Sequence, residues 1–206
     1  MKKRLTKKKL YISLGAIAAV TVPLVITSCS FTNNIRYQLF NFAKRRIIDL
    51  VGEVENYFKD DLDPDITEFK VKLKALVEEM KNTAINADNP PEKFINHYEN
   101  EANNLFNLYA QLKQQKVQAI IDLYVSKAKA STLLNAIGLL PNFKEEAKKL
   151  NNVQNQIPPV DISTPKANIL EYIEISNASL NTAKSAIKAL AAKYEIQNID
   201  EILKLV

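Results

Sequence analysis

The sequence predicts an all-α fold: an elongated antiparallel helical bundle with coiled-coil-like helices, preceded by an N-terminal signal helix. Three observations carry this. Apolar residues recur at spacings of three and four over long stretches, the period of one helix face. Prolines fall between those stretches, at Pro64, Pro90/Pro91, Pro141 and Pro158/Pro159/Pro165, where they end or start helices. No segment shows the strict alternation of a half-buried strand. Glycine is scarce, with three in 206 residues. That argues against a parallel-sheet enzyme, whose phosphate-cradling turns need several. Hydrophobic residues make up 47% and charged residues 25%, proportions of a chain that builds a core.

The first helix is expected over about 34–59. Ile35, Leu39, Phe42, Ile47, Leu50, Val51, Val54 and Phe58 form its broad apolar stripe. The second follows "DDLDPD", with Asp65 as N-cap and Glu68 three residues on, as in a capping box. Ile66, Phe69, Leu73, Leu76, Val77 and Met80 form its stripe. The third starts near Pro91, a favoured first helical residue, and carries Ile95, Tyr98, Ala102, Leu105, Tyr109 and Leu112. After a five-residue step the stripe resumes at Val117, Ile121, Tyr124 and Ala128. This is one helix of nearly 45 residues or two with a break near 113–116, ended by Gly138 and Pro141.

A short polar helix is expected over about 142–156, and "NNVQNQIPPVDISTP" (151–165) is the best loop candidate. From Thr164-Pro165 onward, Ile169, Ile173, Ser176, Leu180, Ala183, Ile187, Leu190 and Tyr194 form a heptad seam of almost four repeats. Packing of this seam within the chain is the simpler expectation, and pairing between chains is the alternative. Asn198 and Glu201 suggest a second cap and a short terminal helix.

The search for chemistry returns little. "DLDPD" resembles the start of a calcium loop, but its sixth and twelfth positions are Ile66 and Lys72 where glycine and glutamate are needed. A capped turn is the better reading. His97 is the single histidine and makes an i, i+4 pair with Glu101. Two ligands do not define a zinc site, and the HExxH pattern is missing. No metal site, cofactor or catalytic residue is assigned, and Ser-His-Asp or Cys-His catalysis would have to use His97. The aromatic residues Phe40, Phe42, Tyr57, Phe58, Tyr98, Tyr109 and Tyr124 are expected in the core.

Charge is concentrated at the start. The formal net charge is +5 and the sequence pI about 9.1. Residues 1–28 hold six of the 28 basic side chains and none of the 23 acidic ones, so the rest nets −1. That remainder has no basic excess to attract nucleic acid. The one cysteine, Cys29, excludes an internal disulfide and a multi-cysteine metal site.

A basic flank followed by the uncharged run "LYISLGAIAAVTVPLVITS" (10–28) has the pattern of a secretory signal. As a helix the run would span roughly 28 Å, close to the hydrocarbon thickness. An uncleaved anchor, with Cys29 an incidental thiol, therefore stays open beside a cleaved signal. Ile26, Thr27, Ser28 and Cys29 resemble the lipobox of bacterial lipoproteins: an aliphatic residue, two small residues and a cysteine. With the Lys-rich start and the Asn/Lys-rich helical body, the chain resembles mycoplasma-type (mollicute) surface lipoproteins, a likeness confined to the first 29 residues. The resemblance implies signal-peptidase recognition of Ile26, Thr27 and Ser28, with cleavage before Cys29. It also implies a diacylglycerol on the Cys29 thiol and a location on the extracytoplasmic face of the cell membrane.

The expected organisation is then a lipoprotein signal peptide (1–28), a lipidated tether (29–33) and a helical bundle (34–206). Lys44, Arg45 and Arg46, close to that tether, are candidates for contact with anionic lipid headgroups. The expected function is that of a non-enzymatic, lipid-anchored surface protein with a protein partner in the host or a membrane complex, serving adhesion, partner binding or antigenic display. The alternatives are an assembly subunit of a membrane complex and a transport accessory lipoprotein.

Overall fold

The computed structural model describes residues 31–85, 90–204 and 206. The expected signal peptide and the lipobox residues Ile26, Thr27, Ser28 and Cys29 lie outside them. Among the described residues there are six α-helices and no strand: α1 (Phe31–Phe58), α2 (Pro64–Asn82), α3 (Glu92–Ile137), α4 (Lys144–Gln156), α5 (Lys166–Lys193) and α6 (Ile199–Lys204). A 3₁₀ turn, Pro141–Phe143, leads into α4. No helix among the described residues is long and apolar enough to cross a membrane.

The organising element is α3. It is one unbroken helix of 46 residues, about 69 Å long at 1.5 Å per residue. Two helices lie on it in tandem, both parallel to it. The first is α1: Arg36 pairs with Glu92, Arg46 with Asn103, Glu53 with Tyr109, and the Tyr57 carbonyl with Lys116. The second is α5, whose Lys166 meets Gln115 and whose Ser176 meets Ser126. Thus α1 ends and α5 begins at the same level of α3, near Gln115 and Lys116. The hairpin partners α2 and α4 close each side into a three-helix bundle, and α6 covers the far end of α3 and α5.

The core follows this division. The first bundle buries Phe40, Ile47, Leu50, Phe58, Ile66, Phe69, Tyr98, Leu105 and Leu112 in one cluster. The second buries Leu133, Ile137, Phe143, Leu150, Leu180, Ile187 and Ile199. A smaller cluster joins Ala119 and Leu123 of α3 to Ile157, Val160 and Ile169 around the α4–α5 loop. The heptad seam of α5 packs within the chain: Ile169, Ser176, Leu180, Ala183 and Ile187 are buried against α3 and α4, although Tyr194 at its end is exposed.

Three expectations are corrected. The N-cap of α2 is Asp63, whose carboxylate accepts from the Asp65 N–H at 3.1 Å. Pro64 lacks an N–H and has its φ fixed, so it takes the first helical position and draws the boundary before Asp65. Glu68 instead pairs with Lys72 one turn on. The candidate loop 151–165 is helical as far as Gln156; the loop proper is 157–165, and Asp161 folds it by accepting from the Ser163 and Thr164 amides.

The third correction concerns α3 beyond Leu112. The buried positions are Lys116, Ala119, Leu123, Ser126, Ala130, Leu133 and Ile137. The expected stripe Val117, Ile121, Tyr124 and Ala128 is exposed. The helix does not skip a residue; its buried face keeps regular spacing by taking a lysine into the core. Phe42 of α1 is likewise exposed, because Phe40 and Ala43 hold the inward positions of that turn.

Helix ends follow local chemistry. Glu195, with φ of 53°, takes the left-handed position after α5, and the Ile196 N–H donates back to the Ala191 carbonyl, the six-to-one bond of a Schellman cap. Asn198 precedes α6 directly, and its carbonyl accepts from the Glu201 N–H.

Candidate functional site

The most constrained polar centre lies where α1, α2, α3 and α5 meet. Asp61, in the α1–α2 turn, is 1% exposed and Lys116 is 0% exposed. The Lys116 ammonium donates to Asp61 Oδ2 and to the Tyr57 carbonyl, both at 2.9 Å. The first amide of α5, from Lys166, donates to the same carboxylate oxygen at 2.9 Å. The Asp63 amide donates to the other oxygen. Lys166 Nζ sits 3.1 Å from Asp63 Oδ2, and Lys70 Nζ donates to the carbonyls of Lys59 and Asp61. Burial alone would raise the Asp61 carboxyl; the Lys116 hydrogen bond, the Lys166 amide, the Lys116 charge and the Asp63 amide outweigh it and hold it below its ordinary 3.8.

This centre has the character of a structural clamp. A catalytic carboxylate needs a free lone pair facing a substrate. Asp61 instead gives its oxygens to a lysine and two backbone amides. The turn that resembled a calcium loop is thus an interhelical turn with its carboxylates engaged internally. The clamp also ties the two bundles together, since Asp61 belongs to the first and the Lys166 amide opens the second.

A second buried polar cluster sits at mid-height of the second bundle. Ser126 Oγ lies 2.7 Å from Ser176 Oγ and donates to Asn177 Oδ1. Ser176 Oγ donates to Gln154 Oε1. The Gln154 amide donates to the Ser176 carbonyl and to Ser179 Oγ. Three helices are therefore keyed to one register by hydrogen bonds, and each buried group finds a partner.

Shallow grooves lie between the helices. One, of about 560 Å³, lies between α2 and α3 and contains Lys72, Glu79, His97, Glu101 and Asn104. His97 Nε2 lies 3.0 Å from Glu79 Oε1 across the helix pair, so its partner is on α2 and not the expected Glu101. Another, of about 550 Å³, lies between α3 and α5 and is lined by Gln111, Gln114, Gln115, Gln118, Asp122 and Lys166. Its Lys166 ammonium already holds Asp63 and Gln115. Among the described residues no three His, Cys, Asp or Glu side chains are placed to hold a metal ion.

The basic triplet is divided by its helix. Lys44 lies over the Phe40 ring at 5.2 Å. Arg46 lies over Phe106 at 5.0 Å and donates to Asn103 Oδ1 at 3.1 Å. Arg45 points to solvent. Arg46 thus holds α1 to α3 by cation–π contact, while Lys44 lies over a ring one turn back on its own helix.

Burial raises the Tyr109 phenol, and the Glu53 carboxylate that accepts its hydrogen bond raises it further. Burial also raises Tyr98, opposed by its hydrogen bond to Thr83 and reinforced by Glu79. Both phenols stay protonated and act as core residues with one satisfied polar end. Tyr124, expected with them, is 51% exposed and donates to the Val160 carbonyl.

The sequence reading missed Asp61, Lys116 and the Ser126–Gln154–Ser176 cluster. The available signal was the five-residue step itself. Lys116 lies four residues after Leu112 and three before Ala119, the position a continuous buried face requires.

No family model matches the chain, and no curated protein or solved structure shows significant similarity to it.

Proposed function

We propose that this chain is a lipid-anchored surface protein of the extracytoplasmic face. On this reading its helical body is a non-enzymatic stalk that presents a protein-binding surface away from the membrane. The observation that carries the reading is the placement of the two ends. Arg36, five residues after the first residue of α1, pairs with Glu92 at the start of α3. The α3–α4 turn, with Leu139 91% exposed, lies at the other end of that helix. The C-terminal Val206 is held there too, its carbonyl accepting from Lys184 of α5. A tether just before residue 31 at one end would hold the opposite end out by about the length of α3, roughly 69 Å. The lipobox-like Ile26, Thr27, Ser28 and Cys29 supply the tether, and two acyl chains suffice for stable attachment.

Headgroup contact by Lys44, Arg45 and Arg46 belongs to a reclined orientation. An upright α1 lifts Arg45 about 21 Å above Phe31, beyond two Debye lengths at physiological salt.

Two measurements test the reading. Metabolic labelling with palmitate should mark the wild type and not Cys29→Ala; equal labelling removes the lipid anchor. Protease added to intact cells should digest the helical body, and full protection removes the surface location. Capture of a membrane or extracellular protein by the purified chain then identifies the partner.

A further inference from the structure

The solvent side of α1 changes character along its length. Toward its start it exposes Tyr37 (45%), Phe42 (60%) and Ile48 (57%). From Asp49 to the end of the helix it exposes no large apolar side chain. Charge changes at the same point. All 23 acidic residues of the chain lie at or beyond Asp49, about one in every seven residues there. Residues 31–48 carry Arg36, Lys44, Arg45 and Arg46 and no acid.

Single exposed apolar side chains are ordinary on a protein surface. Here three of them share a stretch with an acid-free run, and both stop between Ile48 and Asp49. Core packing does not require that coincidence. The buried stripe of α1, Phe40, Ala43, Ile47, Leu50, Val54 and Phe58, runs through the boundary unchanged. Nor do the neighbouring helices reverse the sign. Beside this stretch Glu92 is held by Arg36, Glu78 by Lys81, and Glu79 meets His97. Glu101 lines the α2–α3 groove, which leaves Glu99 to set against Lys44, Arg45 and Arg46.

We propose that the outer face of this part of α1 docks on an anionic bilayer, the membrane to which the chain is tethered. The proposal rests on the lipid-anchored reading, since Cys29 lies two residues before Phe31. A tether that short makes docking intramolecular, so a patch with few anchors suffices. Phe42, Arg45 and Ile48 follow one another at i, i+3, which sets a guanidinium between two apolar anchors on one side of the helix. Phe42 and Ile48 enter the boundary between headgroups and acyl chains, and Tyr37 keeps its hydroxyl among the headgroups. Lys44 and Arg45 meet the lipid phosphates. The chain then has two poses, upright on its tether and reclined along α1, and the anionic lipid content of the membrane sets their ratio.

The chain has no tryptophan, so Phe42→Trp supplies a single fluorescent reporter at an exposed position. The full chain, purified from membranes, is reconstituted into phosphatidylcholine vesicles with or without phosphatidylglycerol, and flotation scores its attachment. With phosphatidylglycerol present, emission of the Phe42→Trp chain should shift to the blue and be quenched by brominated acyl chains. A Leu139→Trp chain, with its reporter at the opposite end, should stay unquenched in the same vesicles. Adding Arg45→Glu to Phe42→Trp should lower the docked-to-free ratio by about tenfold or more, and adding Arg45→Lys should keep it. Positions 42, 45 and 139 are exposed, so all these chains should keep the wild-type melting temperature. A chain that floats while its Phe42→Trp emission stays unquenched overturns the inference and leaves the anchor standing. Quenching that is equal with and without phosphatidylglycerol, or equal at positions 42 and 139, also overturns it. A chain that does not float overturns the anchor and this inference together.

Discussion

N-terminal to Lys116, α3 packs aromatic rings against α1 and α2; C-terminal to it, α3 packs Ala119, Ser126 and Ala130, with Leu123, Leu133 and Ile137, against the second bundle and buries no aromatic ring. In the first bundle Phe40 meets Tyr98 and Phe58 meets Tyr109, each with ring centroids 5.8 Å apart, and Phe69 stacks on Tyr109. Its buried phenols hydrogen-bond at the rim, to Thr83 and Glu53. In the second bundle the middle is a hydrogen-bonded cluster of Ser126, Gln154 and Ser176, and its large apolar side chains gather toward the far end. Ring packing is strong and weakly directional; a buried polar cluster is directional and fails if one member is lost. The first bundle thus gains stability from its core, and the second gains register from its own. Asp61 and Lys116 stand at the boundary and serve both.

The largest effect should come from breaking that boundary. Lys116→Ala leaves the Asp61 carboxylate buried without its counter-charge and should cost about 3–5 kcal/mol, read by urea unfolding. The double variant Asp61→Ala/Lys116→Met should cost less than the sum of the single changes, because neither charge is stranded. Acid should act on the same bond. The Asp61 carboxyl is depressed when folded, so its contribution is complete above its ordinary 3.8 and is lost as pH falls through the lower folded value. Wild-type stability should therefore drop below about pH 4 through this group, and a Lys116→Met chain should lose that component of the slope.

Next in size is the aromatic core. Phe69→Ala, at a fully buried position, should cost about 3–5 kcal/mol and leave the second bundle's amide protection higher than the first's in hydrogen exchange. Equal loss of protection in both bundles would show that they unfold as one unit.

The polar cluster should respond less and less simply. Ser126→Ala removes the hydroxyl that lies against the buried Ser176 and donates to Asn177, and should cost about 1–3 kcal/mol. Replacing Ser126, Gln154 and Ser176 together by Ala, Leu and Ala should be nearly neutral in stability while broadening the amide spectrum of α5, because the register key is gone. The smallest effect expected is at the α2 boundary. Asp63→Ala removes the N-cap and should cost about 1 kcal/mol.

Legibility in the sequence follows the same division. The first bundle was readable because Tyr98, Ala102, Leu105, Tyr109 and Leu112 are apolar and evenly spaced, so period and burial agree. The α5 seam was readable for the same reason, even with Ser176 in it. The stretch of α3 from Lys116 to Ala130 was not, because Val117, Ile121, Tyr124 and Val125 lie on its exposed face while Lys116 and Ser126 are buried. A reading that follows apolar residues moves from Leu112 to Val117, while the helix continues through Lys116. What decides the matter is the Asp61 carboxylate, 55 residues away in sequence, which no local period contains. The α2 cap was misplaced by two residues because Pro64 governs that start more firmly than the Asp65–Glu68 pattern. Of the candidate site residues, Lys44 and Arg46 were visible as charge; Phe40 lies one turn before Lys44 on the same helix, but Phe106 and Asn103, the partners of Arg46, are tertiary neighbours.

The continuity of α3 also has a mechanical meaning. The described chain begins at one end of this helix and finishes at the other, so tension applied between those two ends runs lengthwise along it. No loop interrupts that path between Glu92 and Ile137. Tension then acts as shear along the α1–α3 and α3–α5 seams, opposing many side-chain contacts at once, and does not peel one helix away turn by turn. Lys116 and Asp61 lie where the first seam hands over to the second, so they are the rivet at which the two sliding surfaces share the strain.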